Sequence, residues 1–118
     1  MSKSLRNWLA VQFPSIHLHE ARDIPEALQA VGRERISIAL MDIELPGLDG
    51  IEGTRLLLQL DPHLKVIAMS IRGGQARRTA ALSAGALEFV LKADLLKLLP
   101  PLLEPWLAPQ TDSDSPPP

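Results

Sequence analysis

Apolar residues recur along the chain with two different spacings, and the change from one spacing to the other predicts the order of helices and strands. Leu5, Trp8 and Leu9 lie at helical spacing ahead of Pro14, so we expect the chain to open with a helix. The next run, from Ile16 to His19, alternates apolar and polar positions. That alternation predicts a short strand near the edge of a sheet, where one face meets water.

A second helix is predicted to begin after Asp23, because aspartate is a favoured N-cap and Pro25 suits the first turn. Its apolar stripe ends at Gly32. The run from Ile36 to Met41 is almost entirely apolar and too short for a typical helix, which is typical of a parallel strand buried on both faces. Asp42 follows this predicted strand directly.

The rest of the chain repeats this order. The predicted elements are a helix from Ile51 to Leu60, a strand from Lys65 to Ile71, a helix from Gln75 to Ala84, a strand from Leu87 to Leu91 and a last helix that Asp94 caps and that ends at about Leu107. Pro100 and Pro101 are expected to kink or interrupt the last helix. Helices that alternate with strands indicate an α/β fold with a parallel sheet covered on both faces.

The composition narrows the class of protein. With 118 residues, of which 46% are apolar, the chain can bury one core, and we expect one domain over residues 1–108. Residues 109–118 are rich in Pro, Ser and Asp, so we expect a disordered tail there. The absence of cysteine fits a reducing compartment, and a cytoplasmic location is expected. A formal charge of −2 argues against direct nucleic-acid binding, and the lack of a long apolar run argues against a membrane span.

Polar residues stand at the ends of three predicted strands. In parallel sheets, ligands and chemistry gather at the carboxyl ends of the strands. Asp42, Ser70 and Lys92 lie at or just past such ends. A carboxylate beside a buried strand is costly unless it is solvated, paired or bound to a metal. From its position alone, a role as helix cap or turn residue also stays open for Asp42.

The segment around Asp42 has a distinctive order of residues, Met41-Asp42-Ile43-Glu44-Leu45-Pro46-Gly47-Leu48-Asp49-Gly50. It resembles the phosphorylation loop of response-regulator receivers, in which an aspartate is followed by Pro-Gly-hydrophobic-Asp-Gly. Residues 66–70 resemble the fourth receiver strand, which ends in Ser or Thr, and residues 84–86 with Phe89 and Lys92 resemble the fifth strand with its lysine. The resemblance covers roughly residues 5–107 and implies a flavodoxin-like, doubly wound parallel sheet.

The resemblance also implies a role for each of these residues. Asp42 is the expected phosphoacceptor, and Ser70 and Lys92 are the expected catalytic residues that neutralise charge on the transferred oxygens. Mg²⁺ is the implied cofactor, held by Asp42 and by the backbone carbonyl of Glu44. Ser70 and Phe89 occupy the positions of the switch residues. The implied partner is a sensor histidine kinase or a phosphotransfer protein, with an unidentified protein as the downstream target.

The chain departs from the family at its beginning. Receivers start with a central strand that ends in two acidic residues, which hold Mg²⁺ together with the phosphoacceptor, and counting back from Asp42 places them before the first residue. We therefore expect a receiver sheet without its first, central strand, and a homodimer or strand exchange that covers the exposed edge. Alternatively, residues 16–19 pair beside the strand at 36–41, which would bring Glu20 or Asp23 near Asp42 as substitute metal ligands.

Two functions remain open at this point. The leading hypothesis is a single-domain receiver in a two-component phosphorelay, which accepts a phosphoryl group on Asp42 and signals by protein contact. The alternative is a degenerate receiver that serves only as an interaction or dimerisation module, independent of phosphorylation. An aspartate-nucleophile phosphatase would need aspartate and threonine where this chain has Glu44 and Pro46, so we do not expect an enzyme.

Overall fold

The computed structural model describes residues 3–44 and 50–107. The predicted tail at 109–118 lies outside these ranges, so its disorder stays a prediction. The elements in chain order are α1 (Lys3–Gln12), α2 (Ile24–Arg33), β1 (Ile38–Asp42), α3 (Gly50–Leu60), β2 (Lys65–Ser70), α4 (Gln75–Ser83), β3 (Glu88–Leu91), a 3₁₀ turn (Lys92–Asp94) and α5 (Leu95–Leu107). The predicted helices are all present, with bounds close to those predicted.

The described strands form one parallel sheet in the order β1-β2-β3. Strand β2 lies in the middle, and its alternate residues face two opposite layers of helices. Val66 and Ala68 pack in a core with α2, α3 and α4, whereas Ile67 and Met69 pack in a second core with α1 and α5. Because both faces are covered, β2 is buried along almost its whole length, as the sequence predicted. The predicted α/β sheet with helices on both faces is confirmed.

The capping of α2 is also confirmed. The Asp23 carboxylate accepts a hydrogen bond from the Glu26 backbone N–H at 2.9 Å, and Pro25 lies in the first turn. Ile24, the first helical residue, is only 1% exposed. It packs against α3 at Gly53, where a methyl group would collide with the Ile24 side chain. The start of α2 is therefore fixed both by its cap and by its contact with α3.

The strand predicted at residues 16–19 is wrong. These residues have irregular structure, and residues 17–21 line a cavity of about 170 Å³ together with β1. A strand exists only where a neighbour completes its ladder of hydrogen bonds, and within the described residues β1 pairs with β2 alone. The alternative in which residues 16–19 join β1 is therefore also wrong. β1 is therefore the outer strand of the described sheet, with a partner strand on one side. This position explains why β1 is only partly buried, whereas the sequence predicted burial on both faces.

Helix α5 is continuous, so the predicted interruption at Pro100 and Pro101 is wrong, whereas a kink there stays a prediction. Its apolar face buries Leu95, Leu99 and Leu103, which recur at every fourth residue and pack in the core with α1 and the sheet. That burial outweighs the hydrogen bonds lost at the prolines. With 13 residues, α5 is much shorter than a bilayer requires, and none of the helices in the described ranges has the length and apolar character to span one.

Candidate functional site

Asp42 is the last residue of β1, at the carboxyl edge of the sheet. The chain is held just beyond it, because the Ile43 N–H donates to the Met69 carbonyl oxygen at 3.0 Å and extends the pairing of β1 with β2. The Glu44 N–H donates to Asp42 Oδ1 at 2.9 Å and closes an Asx-type turn. The Asp42 side chain is 21% exposed. Its carboxylate is therefore fixed in orientation and still accessible to a reactant.

Lys92 reaches Asp42 across the end of β2. It follows β3, which lies two strand positions from β1, or about 10 Å at the usual spacing between strands. Only a long side chain spans this distance, and the Lys92 Nζ lies 2.6 Å from Asp42 Oδ2. Both side chains are partly buried. Lys92 therefore supplies the counter-charge for a carboxylate that solvent reaches only in part.

Ser70 ends β2 and is fully buried. Its Oγ lies 2.5 Å from Glu44 Oε2 and 2.7 Å from the Arg72 carbonyl oxygen, and it accepts the Arg72 N–H at 3.1 Å. A hydroxyl has a single proton to donate. The proton goes to Glu44, because that contact is shorter and its acceptor is charged. The Arg72 carbonyl oxygen remains as the alternative acceptor.

The Glu44 carboxylate lies over the carboxyl end of β2. Its Oε1 accepts the Ile71 N–H at 3.0 Å, and its Oε2 lies 3.4 Å from Nη1 of Arg77, near the start of α4. Burial raises the pKa of Glu44, but the hydrogen bonds from Ser70 and Ile71 outweigh burial, and the net pKa is lowered from its ordinary value of 4.5. Glu44 is therefore ionised at neutral pH.

The structure brings together some of the residues predicted from the sequence and not others. Asp42, Ser70, Lys92 and Glu44 meet at the carboxyl edge of the sheet; of these, Lys92 and Glu44 contact Asp42, and Ser70 contacts Glu44. Phe89 lies on β3 and packs against the core of α2, α3 and α4.

The two substitute ligands have other contacts. Glu20 pairs with Arg6 at 3.2 Å, and Asp23 caps α2. Both line the same cavity as Asp42.

The metal ligands implied by the resemblance form an incomplete set. Asp42 offers one carboxylate, Glu44 offers a backbone carbonyl, and the Glu44 side chain is engaged by Ser70 and Ile71. Within residues 3–44 and 50–107, no group of three or more His, Asp or Glu side chains lies close enough together to hold a metal ion. Mg²⁺ requires near-octahedral oxygen coordination. The described residues therefore do not make a Mg²⁺ site by themselves.

The carboxyl edge of this parallel sheet carries the aspartate, serine and lysine that the sequence resemblance to response-regulator receivers implied. The chain belongs to this family, since the family model described as "Response regulator receiver domain" matches residues 1–99. The resemblance inferred from the sequence motifs is thereby confirmed.

Individual relatives and structures agree with this assignment. Chemotaxis protein CheY from Thermotoga maritima is 34% identical over 73 residues, which are 62% of this chain and 61% of that protein. The crystal structure of a LuxR-family two-component response regulator from Aurantimonas sp. SI85-9A1 superposes with a TM-score of 0.76 at 28% identity, covering 87% of this chain and 76% of that chain.

A third similar protein is a response regulator from Burkholderia pseudomallei, whose crystal structure has a phosphorylated aspartic acid, a calcium ion and citrate. It superposes with a TM-score of 0.68 at 17% identity, covering 96% of this chain and 72% of that chain. The part of this chain that matches three curated relatives spans between 21% and 61% of their length. The superpositions show that the fold is that of a receiver, and the described residues contain three parallel strands of its sheet.

Sequence reasoning missed two side chains of this site. It gave Glu44 a role only through its backbone carbonyl, and it gave Arg77 none. The signal for Glu44 was its place two residues after Asp42, just beyond a strand that was expected to end beside the one that ends at Ser70. Arg77 carries no comparable signal, because its approach to Glu44 depends on how α4 packs.

Proposed function

We propose that this protein is a receiver whose Asp42 accepts a phosphoryl group in a two-component phosphorelay. The observation that carries the proposal is the ion pair of Asp42 and Lys92 across the end of β2, with 2.6 Å between Nζ and Oδ2. Ser70 ends the strand that this ion pair crosses. The phosphorylated aspartic acid of the structural neighbour from Burkholderia pseudomallei also supports the proposal.

In the proposed reaction, a carboxylate oxygen of Asp42 attacks the phosphorus atom of a phosphohistidine on a sensor histidine kinase or a phosphotransfer protein. A P–O bond forms, the P–N bond of the donor breaks, and the imidazole leaves with the electron pair of that bond. The product is an acyl phosphate with more negative charge than the free carboxylate. Lys92 offsets that charge as a point charge, and the Ser70 hydroxyl is a hydrogen-bond donor for a phosphoryl oxygen.

Mg²⁺ is the cofactor that the family implies, and it would neutralise charge on the phosphoryl oxygens. Asp42 and the Glu44 carbonyl are the proposed ligands within the described residues. Glu20 and Asp23 stay candidates for completing the set, because they line the same cavity as Asp42. Each would first have to give up the contact it makes with Arg6 or with the start of α2.

Phosphorylation by a small donor tests the proposal directly. The protein is incubated with acetyl phosphate or phosphoramidate, with and without Mg²⁺, and its intact mass is followed over time. We expect a gain of one phosphoryl group in the wild type and no gain in Asp42→Asn, which keeps the shape of the side chain and loses the nucleophile.

Asp61→Asn is the matched control. Asp61 follows α3, precedes the amino end of β2, and accepts the His63 N–H at 3.0 Å. It therefore lies at the amino ends of the strands, on the side of the sheet away from Asp42. Its variant should be phosphorylated like the wild type. A phosphoryl group that persists in Asp42→Asn would refute the assignment of the acceptor.

A specific observation also supports the second candidate function, an interaction or dimerisation module that works without phosphorylation. Within the described residues, one edge of β1 has no partner strand, and the cavity beside it is lined largely by apolar side chains. Such an edge favours pairing with another chain, as a homodimer or by strand exchange. Sedimentation analysis over a range of concentrations tests this. A dimer whose population is the same with and without phosphorylation would favour this module, and a monomer at all concentrations would exclude its dimerising form.

We propose that this chain acts in the cytoplasm without enzymatic turnover, signals to a downstream protein by direct contact and does not bind nucleic acid or membrane. Ser70 and Phe89 are the proposed switch residues. Phe89 packs in the core beside Ala68, two residues before Ser70, so a movement of Ser70 has a short path to it. Amide chemical shifts of β3 that change on phosphorylation would support this path.

A further inference from the structure

The donors around the Glu44 carboxylate form an anion pocket at the carboxyl end of β2. The pocket consists of the Ser70 hydroxyl at 2.5 Å, the Ile71 N–H at 3.0 Å and the Arg77 guanidinium at 3.4 Å. A hydroxyl, a backbone amide and a guanidinium are also the kinds of donor that bind phosphoryl oxygens. The Glu44 side chain is 23% exposed, so its carboxylate is enclosed by the pocket and retains a path to solvent.

The same pocket lies next to the position that a phosphoryl group on Asp42 would occupy. The Glu44 N–H donates to Asp42 Oδ1 at 2.9 Å, so the two carboxylates belong to one turn. The other carboxylate oxygen of Asp42, Oδ2, already accepts a hydrogen bond from Lys92 Nζ. The Ser70 hydroxyl and the Ile71 N–H are then the neighbouring donors, and each has a single hydrogen. A hydrogen that is bonded to Glu44 is not available to a phosphoryl oxygen.

We infer that the Glu44 carboxylate is a resident competitor of the phosphoryl group for the anion pocket, and that Arg77 is the positioning residue that holds it there. This inference rests on the proposed phosphorylation of Asp42. For the phosphoryl group to settle, Glu44 has to swing out of the pocket into solvent. When Glu44 moves out, the buried Ser70 hydroxyl still has a hydrogen-bond acceptor, because the Arg72 carbonyl oxygen lies 2.7 Å from Ser70 Oγ.

The first test is the rate of phosphorylation by acetyl phosphate in Glu44→Ala and Glu44→Gln. If Glu44 leaves the pocket open about one-tenth of the time, its removal should raise the rate about tenfold. Glu44→Gln should lie between Glu44→Ala and the wild type, because glutamine loses the charge and keeps one oxygen acceptor. Glu104→Ala, an exposed glutamate of α5, is the matched control and should keep the wild-type rate.

Arg77→Gln separates occupancy of the pocket from a general effect of charge. Removing a positive charge near the site should slow the arrival of a negatively charged donor. If Arg77 holds Glu44 in the pocket, however, its removal should release Glu44 and raise the rate. Arg78→Gln makes the same change of charge at the next, exposed residue of α4 and should not raise the rate. In the Glu44→Ala background, Arg77→Gln should give no further increase.

The second measurement does not depend on phosphorylation. The Ile71 amide proton resonance of the unphosphorylated protein should move upfield in Glu44→Ala, because the amide loses a charged acceptor, and it should stay in place in Glu104→Ala. An unchanged Ile71 resonance would show that Glu44 is not in the pocket and would overturn the inference. A rate that falls in Arg77→Gln would refute the role of Arg77.

The two measurements together distinguish the inference from the proposed function. A shifted Ile71 resonance with faster phosphorylation in Glu44→Ala supports both. A shifted resonance with unchanged phosphorylation refutes the competition and leaves the acceptor role of Asp42 intact. A shifted resonance with no phosphorylation in any variant refutes the proposed function, and with it the competition, while the position of Glu44 stands.

Discussion

Gly50 begins α3 and lies against the turn that carries Asp42. A Cβ atom at this position would lie 2.6 Å from the Asp42 carbonyl oxygen and even closer to Ile43 Cα. These are backbone atoms, and Ile43 is held to the Met69 carbonyl oxygen by a hydrogen bond of 3.0 Å. Gly50 lies within the helical span of α3, so its replacement by alanine tests steric fit and not a glycine-specific backbone conformation. Gly50→Ala should therefore displace the Asp42 turn or unwind the start of α3.

The expected size of this effect follows from what alanine would meet. Overpacking typically costs about 1–3 kcal/mol when neighbouring side chains and backbone can adjust. Because the neighbours here are backbone atoms of a paired segment, we expect Gly50→Ala to lower the free energy of unfolding by about 3 kcal/mol. Urea unfolding followed by circular dichroism measures this, provided that the m value is unchanged. The phosphorylation rate should fall as well, because Asp42 is displaced from Lys92.

Two other glycines are controls with the same chemical change. At Gly32, on the exposed side of α2, a Cβ atom would have Leu60 Cδ2 as its nearest neighbour at 3.8 Å, so Gly32→Ala should stabilise the protein by about 0.5 kcal/mol. At Gly53 the obstacle is the side chain of Ile24, which can turn, so we expect a loss of about 1–2 kcal/mol. If Gly50→Ala is as stable as Gly32→Ala, the close approach of α3 to the Asp42 turn is refuted.

Three further changes test single contacts. Lys92→Met keeps the length of the side chain and removes the counter-charge of Asp42, so the phosphorylation rate should fall by about a hundredfold with an unchanged circular dichroism spectrum; a wild-type rate would contradict the role of Lys92. Asp23→Ala removes the acceptor of the Glu26 N–H and should lower the free energy of unfolding by about 1 kcal/mol, whereas Asp23→Asn should retain most of it. For Glu44, burial raises the pKa, but the hydrogen bonds from Ser70 and Ile71 lower it by more, so the folded pKa lies below the unfolded value of 4.5. The stability that Glu44 contributes is then present above 4.5 and lost as the pH falls through the folded pKa, and the melting temperatures of the wild type and Glu44→Gln should converge on acidification.

The location of the site could be predicted because it follows from the ends of strands. An apolar run of strand length places the residue after it at the carboxyl edge of a parallel sheet. Asp42, Ser70 and Lys92 could therefore be predicted to meet from their order along the chain. The cap at Asp23 could be predicted for a similar reason, because the acceptor and the Glu26 N–H are three residues apart. Features decided within a few residues of chain are the ones that sequence patterns describe well.

The strand predicted at residues 16–19 depended on a neighbour that local alternation does not supply. Alternation indicates which side chains would face a core if a partner strand lay alongside. Within the described residues, β1 leaves that position empty, and residues 17–21 line a cavity instead of joining a ladder. In α5 the opposite happened. Pro100 and Pro101 argue locally against a helix, but the burial of one apolar face in the assembled core outweighs them.

The side chain of Glu44 shows why the contacts within the site could not be predicted. Its direction depends on the register of β1 against β2, in which Asp42 lies opposite Met69. The second residue after Asp42 then falls beside the second residue after Met69, and the Glu44 carboxylate meets the Ile71 N–H. A shift of one residue would turn the side chains of β1 to the opposite faces of the sheet and carry Glu44 away from Ser70. The register is fixed by the packing of β2 between two layers of helices, so the occupant of the anion pocket is decided by the assembled core and not by the motif around Asp42.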